Sequence, residues 1–289
     1  MAVPVSGFTI VRNAVRLDFP VIESIRSILP LCDEVVVNVG RSDDATLDLV
    51  RSIGDPRIRI LETIWDFSRR EQLLAEETLR AMRACTHRWG MCVQADEVLH
   101  ETGVPLLAEA VAECDDDERV EGLLVRYRHF FGDPWHEAVN RRWYRREVRV
   151  VRLDAARDIH PFRDAQGFRV GPEHRRIRAR LTQAEMYHYG WTRSAAALRG
   201  RKKEDRKLYS QVHEPGAAEP LLEWFPGIRP FTGTHPAVAQ DWVERHRHDP
   251  DRTVSPPVFS WRHFRYYVSD AIERVTGARV FEFRNYRLV

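Results

Sequence analysis

An apolar run closes on two acids in Trp89-Gly-Met-Cys-Val-Gln94-Ala95-Asp96-Glu97-Val98-Leu99. A buried strand ending in carboxylates is suited to a hard divalent cation, because such ions take oxygen ligands and a strand terminus holds them rigidly. The same two acids could cap a following helix instead, and the pattern alone leaves both uses open. Further along, Met186-Tyr187-His188-Tyr189-Gly190-Trp191 sets an imidazole between aromatic rings at the end of another strand-like run. A neutral imidazole is a ligand for manganese-like ions, and it fits an aromatic cluster equally well. Between these segments, Ile159-His160-Pro-Phe-Arg-Asp164-Ala-Gln166-Gly-Phe-Arg169 gathers an acid, an amide and two arginines around a glycine. A loop carboxylate of this kind could take a proton from an attacking hydroxyl, a role for which Asp133 and Asp158 compete, while a lone loop Asp also serves as a turn former.

These residues need a frame that brings strand ends to one edge. Phe8 to Arg12 form a short apolar run ending at Asn13, which reads as a buried first strand. Asp18 and Pro20 then open a helix with Ile22, Ile25, Ile28 and Leu29 on one face. The unit repeats, with Val35 to Val39 as a second strand, Gly40 to Asp44 as a turn, and Leu47, Val50 and Ile53 marking a second helix. Ile58 and Ile60 alternate with Arg57 and Arg59 in a third strand, Ser68 and Glu71 form a capping box for a helix running to about Cys85, and residues 89–93 are a fourth strand. Strands alternating with helices of this length imply right-handed crossovers and a largely parallel sheet, with ligands beyond the carboxyl ends of its strands. Attention falls on Arg12 and Asn13, Gly40 to Asp44, Thr63 to Asp66 and Gln94 to Glu97.

After a helix near 104–113, the long stretches 120–131 and 142–153 read as antiparallel additions, and Arg145 to Val150 read as a strand with one wet face. A basic helix follows Trp191 and runs to about Tyr209, and Pro and Gly rise through 213–236. The tail holds a helix with Phe264, Tyr267, Ala271, Ile272 and Val275 inward, Gly277 as its C-cap, and a last strand around 280–286.

Composition narrows the classes. The 43% hydrophobic content argues against a disordered chain. Net charge is only +2, but of 45 basic residues only Lys202, Lys203 and Lys207 are lysines. Arginine suits bidentate phosphate recognition, and a genome-wide codon bias produces the same skew. Four cysteines without a C-x-x-C pair read as reduced core residues. No apolar run reaches bilayer-spanning length and no leader pattern opens the chain, so a cytoplasmic protein with no integral membrane segment is expected.

Gln94-Ala95-Asp96-Glu97 resembles the D-x-D region of GT-A glycosyltransferases, especially family 2, whose apolar strand often runs into D-A-D-E. Gln94 stands in place of the first acid. Phe8-Thr-Ile-Val-Arg-Asn13 resembles that family's first strand and nucleotide-contacting loop, and Cys32 to Val50 resembles its second strand with a D-D-G-S-x-D-G-T turn. Val39 and Gly40 occupy the place where the family commonly has an Asp recognising the base, which leaves the base open. The resemblance covers about residues 7–100 well and 120–195 loosely. It implies an α/β fold of the GT-A, Rossmann-like type: a mixed, mainly parallel sheet flanked by helices, with a C-terminal helix-and-strand extension. Residues 1–210 would be the transferase domain, 1–100 its nucleotide-sugar half and 101–210 its acceptor half, with 211–289 packed on it.

The implied activity is inverting transfer of a hexose from a nucleoside-diphosphate sugar to an unidentified acceptor, assisted by Mn²⁺ or Mg²⁺. Carried over by resemblance, Asp96 and His188 hold the metal. Thr9, Val11, Arg12, Asn13, Ser42, Asp44, Asp66, Arg70, Gln94, Ala95 and Asp96 face the donor. Glu97, Gln166 and Trp191 face the acceptor, and Asp164 is the base. Ser42 and Asp44 also read as N-capping residues. Arginines in the first helical turn, such as Arg70, oppose the helix dipole unless an anion lies beside them, and solvent exposure explains them equally. The rivals are a nucleotidyltransferase, for which Arg12-Asn13-Ala14-Val15 is not the expected Gly-rich, Lys-containing loop, a donor-binding protein without turnover, and nucleic-acid binding through the arginines at 141–152 and 174–180. The near-balanced charge speaks against nucleic acid as a partner.

Overall fold

A single mixed sheet organises the computed structural model, which describes residues 3–209, 220–280 and 282–289. The strands and helices of the first half are β1 (Val5–Val11), α1 (Val21–Ile28), β2 (Glu34–Gly40), α2 (Thr46–Arg51), β3 (Ile58–Thr63), α3 (Leu73–Arg83), β4 (Trp89–Cys92), β5 (Glu97–Leu99) and α4 (Gly103–Cys114). Then follow β6 (Gly122–Phe131), β7 (Asp133–Ala138), β8 (Arg146–Arg152), β9 (Ile159–Phe162), β10 (Gly167–Val170), β11 (Arg175–Trp191), α5 (Ala195–Leu208), β12 (Ile228–Pro230), α6 (Gln240–Arg245), α7 (Phe264–Thr276) and β13 (Tyr286–Leu288). Along the sheet the order is β3-β2-β1-β4-β8-β6-β11-β10-β9. The first four strands are mutually parallel, β8 runs against both β4 and β6, and β11 is parallel to β6. This is the mixed, mainly parallel sheet flanked by helices that the alternating pattern implies.

Both faces of the sheet are covered, which explains why β2 reads as an unbroken run: Val35, Val36 and Val37 are each fully buried. Pleating sends Val35 and Leu123 to the face under α1 and α4, and Val36 and Leu124 to the face shared with Phe8, Phe168 and Ile177. α1 lies down through Val21, Ile25 and Ile28. Gly7 is needed on β1 because a Cβ there would stand 2.8 Å from Ile28 Cδ1 and hold the helix off the sheet. Among the described residues, no helix is long and apolar enough to cross a membrane. Cys32, Cys85, Cys92 and Cys114 are free thiols, three of them buried.

Several local expectations change. The capping box at Ser68 and Glu71 does not form. Asp66 caps instead, accepting from Ser68 N at 3.0 Å and starting a 3-10 segment over Phe67–Gln72. Arg70 breaks that segment at φ 46°, and α3 begins only at Leu73. The wet face read into β8 is also absent. Arg149 and Arg152 are 0% exposed, because β8 is an interior strand between β4 and β6 and both its faces lie under other elements. In the tail, Gly277 is the left-handed C-cap of α7 as expected, but Phe264 and Val275 face solvent, and Phe264 packs on Trp261 rather than into the core. The last strand begins at Tyr286, beside Ile177 of β11, and Phe281 of the expected strand lies outside the described residues. The expected boundary at 210–211 also lies outside them. Beyond it, Leu221, Leu222 and Phe225 join Phe131, Trp143 and Leu198 in one apolar cluster.

Candidate functional site

A cavity of about 550 Å³ opens at the carboxyl ends of β1 and β4. Its floor is Thr9 to Arg12 and Cys92 to Asp96. His129, Trp143, Tyr144, His188 and Trp191 make one wall, and the turn Asp164 to Gln166 makes another. Phe19, Trp65, Phe67 and the α5 residues Arg201, Glu204, Asp205 and Leu208 close it over, with Tyr209 just beyond the helix.

Asp96 and His188 are far apart in sequence and adjacent in space because β5 pairs antiparallel with the end of β11, in the register Glu97↔His188. Tyr189 N donates to Asp96 O at 2.9 Å, which locks the acidic turn onto β11. His188 Nε2 then stands 3.6 Å from Asp96 Oδ2. Gly190 makes this approach possible: a Cβ at that position would fall 2.6 Å from Asp96 Oδ2 and 2.8 Å from His188 Nε2. Burial opposes ionisation of Asp96, but His188 together with the Arg193 and Arg201 guanidinium groups outweighs it and holds the carboxyl well below its usual range. Burial also pushes His129 well below the ordinary imidazole range, and pushes the fully buried Arg193 down to about 10.

Glu97 has a different place from the one expected. It is 0% exposed and accepts from Arg149 Nε at 2.9 Å, Arg149 Nη2 at 2.7 Å, Tyr127 Oη at 2.7 Å and Gln94 N at 3.0 Å. Every lone pair it offers is engaged behind the cavity floor, so it cannot touch an acceptor and instead fixes the turn that carries Asp96. Gln94 does line the cavity, and its Nε2 donates to Ala165 O at 3.4 Å, tying the floor to the Asp164 turn. That turn sits between β9 and β10, with Arg163 and Ala165 both at positive φ. Asp164 is half-buried and Gln166 N donates to its Oδ1 at 3.4 Å.

The remaining expected residues divide. Thr9, Val11, Arg12, Gln94, Ala95, Asp96, Asp164, Gln166, His188 and Trp191 all line the cavity. Asn13 is buried beside it, its Oδ1 accepting from Asp43 N at 2.8 Å. Ser42 and Asp44 line a separate depression, where Ser42 Oγ accepts from Asn13 N and Asp44 accepts from Thr46 N and Arg16 N. Asp66 and Arg70 lie on the exposed rim of the 3-10 segment, outside the cavity lining. Local backbone work thus occupies the polar groups of Ser42, Asp44 and Asp66.

Three arginines reach the lining, of which Arg142 lies 5.1 Å from the Phe225 ring centroid. Arg12 pairs with Glu204 at 3.1 Å over the Phe67 ring, and Arg201 lies 4.6 Å from the Trp191 ring centroid with its Nε 3.3 Å from Asp205 Oδ2. Three buried polar atoms of lining residues, Thr9 Oγ1, Trp65 Nε1 and Trp143 Nε1, have no hydrogen-bond partner within the protein. All three are sealed within the packing, and Trp65 Nε1 lies against Gly40, where a Cβ would stand 2.5 Å from it.

No family model matches the chain. No curated protein matches it either. Among solved structures it is similar to the crystal structures of S. aureus TarS 1-349. Against the complex with UDP the identity is 16%, over 44% of this chain and 36% of that one, with a TM-score of 0.33. Against TarS 1-349 alone the values are 11%, 70%, 65% and 0.40, and against the complex with UDP-GlcNAc they are 15%, 44%, 34% and 0.33. The chain therefore spans between about a third and two thirds of the length of those chains.

Sequence reasoning missed His129, Trp143, Tyr144 and the inward face of α5, while Trp65 falls in the expected segment Thr63 to Asp66. The first three sit in stretches read only as sheet additions, although Trp143 and Tyr144 prove to lie in the turn before β8, and nothing local distinguishes a cavity wall from a core face. For α5 a signal existed: Arg201, Glu204, Asp205 and Leu208 recur at helical spacing on one face.

Proposed function

We propose that the chain transfers a sugar from a nucleoside-diphosphate donor to an acceptor hydroxyl with inversion, assisted by Mn²⁺ or Mg²⁺. The carrying observation is the meeting of Asp96 and His188 Nε2 at 3.6 Å, at the carboxyl edge of parallel strands and in the floor of a cavity with three arginines in its lining. A carboxylate oxygen and an imidazole nitrogen are a donor set that such ions accept, and ligands each about 2.1 Å from one ion stand roughly 3 to 4 Å apart. Among the described residues, no group of three or more His, Cys, Asp or Glu is placed to hold an ion. Most of the coordination would therefore come from the diphosphate and water, the usual arrangement at nucleotide sites. When bound, the cation supplies charge neutralisation to the departing nucleoside diphosphate.

The protein's own residues do the rest. Arg12 and Arg201 place positive charge beside the diphosphate. Asp164 takes the proton from the acceptor oxygen as that oxygen forms its bond to the anomeric carbon. The bond from that carbon to the phosphate oxygen breaks, its electron pair leaves with the diphosphate, and the configuration inverts. Gln94 holds the Asp164 turn at a fixed distance from Asp96 through Ala165 O. In this reading Trp191 and Gln166, which line the same cavity, contact the acceptor.

The test is a thermal-shift screen of nucleoside diphosphates with and without Mn²⁺, followed by product analysis with the matching nucleotide sugars. The reading expects a base-selective, Mn²⁺-dependent shift and release of nucleoside diphosphate, both lost in Asp96→Ala. Release of pyrophosphate would mark nucleotidyl transfer instead. Full metal-dependent activity in Asp96→Ala would overturn the assignment.

A further inference from the structure

Behind His188 lies a second imidazole that the reaction does not touch. β6 and β11 run parallel in the register His129↔His188, so the two rings lie side by side, with Nδ1 facing Nδ1 at 3.2 Å. On its other side, His129 Nε2 is 2.7 Å from the carbonyl oxygen of Tyr144. Both imidazoles are buried, at 2% and 8% exposure. The His129 ring is caged by Tyr127, Trp143 and Tyr144, at centroid distances of 5.2, 5.0 and 4.6 Å, so its plane is set.

Proton bookkeeping along this line has one solution for neutral rings. A carbonyl oxygen only accepts, so the 2.7 Å contact requires the proton of His129 on Nε2. A neutral imidazole carries a single N–H, which leaves His129 Nδ1 as an acceptor. The 3.2 Å contact is then a hydrogen bond only if His188 donates from its own Nδ1. His188 in turn is left with its lone pair on Nε2, the atom that faces Asp96 and the cavity. The opposite tautomer of His188 would set two lone pairs against each other in a buried site, at the cost of an unmade hydrogen bond.

We propose that His129 is a positioning residue, whose hydrogen bonds to Tyr144 O and His188 Nδ1 fix His188 as the tautomer with a free Nε2 lone pair, ready to ligate a divalent cation together with Asp96. This rests on the cation reading above. The backbone carbonyl of Tyr144 is the ultimate reference, relayed through two rings. Histidine ligands in general have their second nitrogen held by such a partner, and loss of the partner weakens metal binding by about 10- to 100-fold. Here the partner is a second imidazole whose own tautomer is dictated by the main chain.

The experiment uses the full chain with ¹⁵N-labelled histidine, metal-free and in mildly alkaline buffer, and reads two-bond ¹H–¹⁵N spectra assigned with His129→Phe, His129→Asn and His188→Ala. In the wild type the proton is expected on Nδ1 of His188 and on Nε2 of His129. Mn²⁺ binding, alone and with inorganic pyrophosphate, is followed in parallel by electron paramagnetic resonance. His129→Phe, which offers no acceptor, is expected to lose the His188 preference and to bind Mn²⁺ about 10- to 100-fold more weakly. His129→Asn, whose side-chain oxygen can still accept from Nδ1, is expected to recover most of both. Melting curves identify any variant that does not fold, and the wild-type spectrum decides the tautomer without a variant. A proton on His188 Nε2 in a wild type that binds Mn²⁺ overturns the role of His129 and spares the cation reading. So does unchanged Mn²⁺ affinity in folded His129→Phe. A wild type that binds no Mn²⁺ under either condition overturns the cation reading and the positioning role with it.

Discussion

Asp96 at the cavity floor and Glu97 just behind it are neighbours in the chain and meet opposite surroundings. The Glu97 carboxylate is saturated by Arg149, Tyr127 and Gln94 N, and all of these contacts are buried. The Asp96 carboxylate has His188 Nε2 at 3.6 Å and the more distant charges of Arg193 and Arg201. One acid is spent on holding the turn, and the other is left with capacity for a ligand. The chain changes element between them: Asp96 ends the turn after β4, and Glu97 begins β5, whose pairing with β11 buries its side chain.

If this contrast is right, the two acids should fail differently when neutralised. Glu97→Gln leaves the Arg149 charge buried without its partner, and a loss of about 3 to 5 kcal/mol in chemical denaturation is expected. Asp96→Asn strands no hydrogen-bonded guanidinium and should lose less in the same assay, while Mn²⁺-dependent nucleotide binding and turnover disappear. Equal stability losses in the two variants would break the comparison. Gly190→Ala attacks the cavity side alone, since the added methyl falls between Asp96 Oδ2 and His188 Nε2. It should cost about 1 to 3 kcal/mol by overpacking and abolish the Mn²⁺-dependent shift in the thermal assay.

A pair outside both regions calibrates the electrostatics. Burial opposes ionisation of Asp18, but the His246 hydrogen bond and charge, with the amide of Ser194, outweigh it and lower the pKa from 3.8 to about 2. A depressed folded-state value means stability that is fully present above about pH 4 and is lost as the pH falls towards 2. The contribution is about 2 kcal/mol. Melting temperature followed over that window should fall less steeply in Asp18→Asn than in the wild type, with nucleotide binding untouched at neutral pH. The smallest expected effect returns to the buried pair. Tyr127→Phe removes one hydrogen bond to Glu97 while Arg149 stays, and should cost about 1.5 kcal/mol in denaturation with Mn²⁺ binding preserved.

The alternation of apolar runs with amphipathic helices was enough to place α1 to α4 and the parallel strands, because period and punctuation are local properties. The acidic turn was legible for the same reason. The role of Glu97 was not, since the partner that decides it, Arg149, sits on β8 and looked from its neighbours like one more residue on a wet-faced strand. Pairing on both edges turned that apparent surface strand into an interior one. His188 was visible as a candidate, whereas His129 gave no sign, because its meaning lies in a register between two strands and a carbonyl on a third segment.

The sequence by itself determined that this is an α/β chain, and that carboxylates gather where a parallel strand ends, since those features follow from side-chain period and from which residues a buried strand tolerates. Only the tertiary structure decided which acid faces the cavity, which imidazole meets it, and which arginines are buried in pairs. Those choices depend on strand pairing between segments scores of residues apart, and a side chain's electrostatic surroundings are set by whatever that pairing brings beside it.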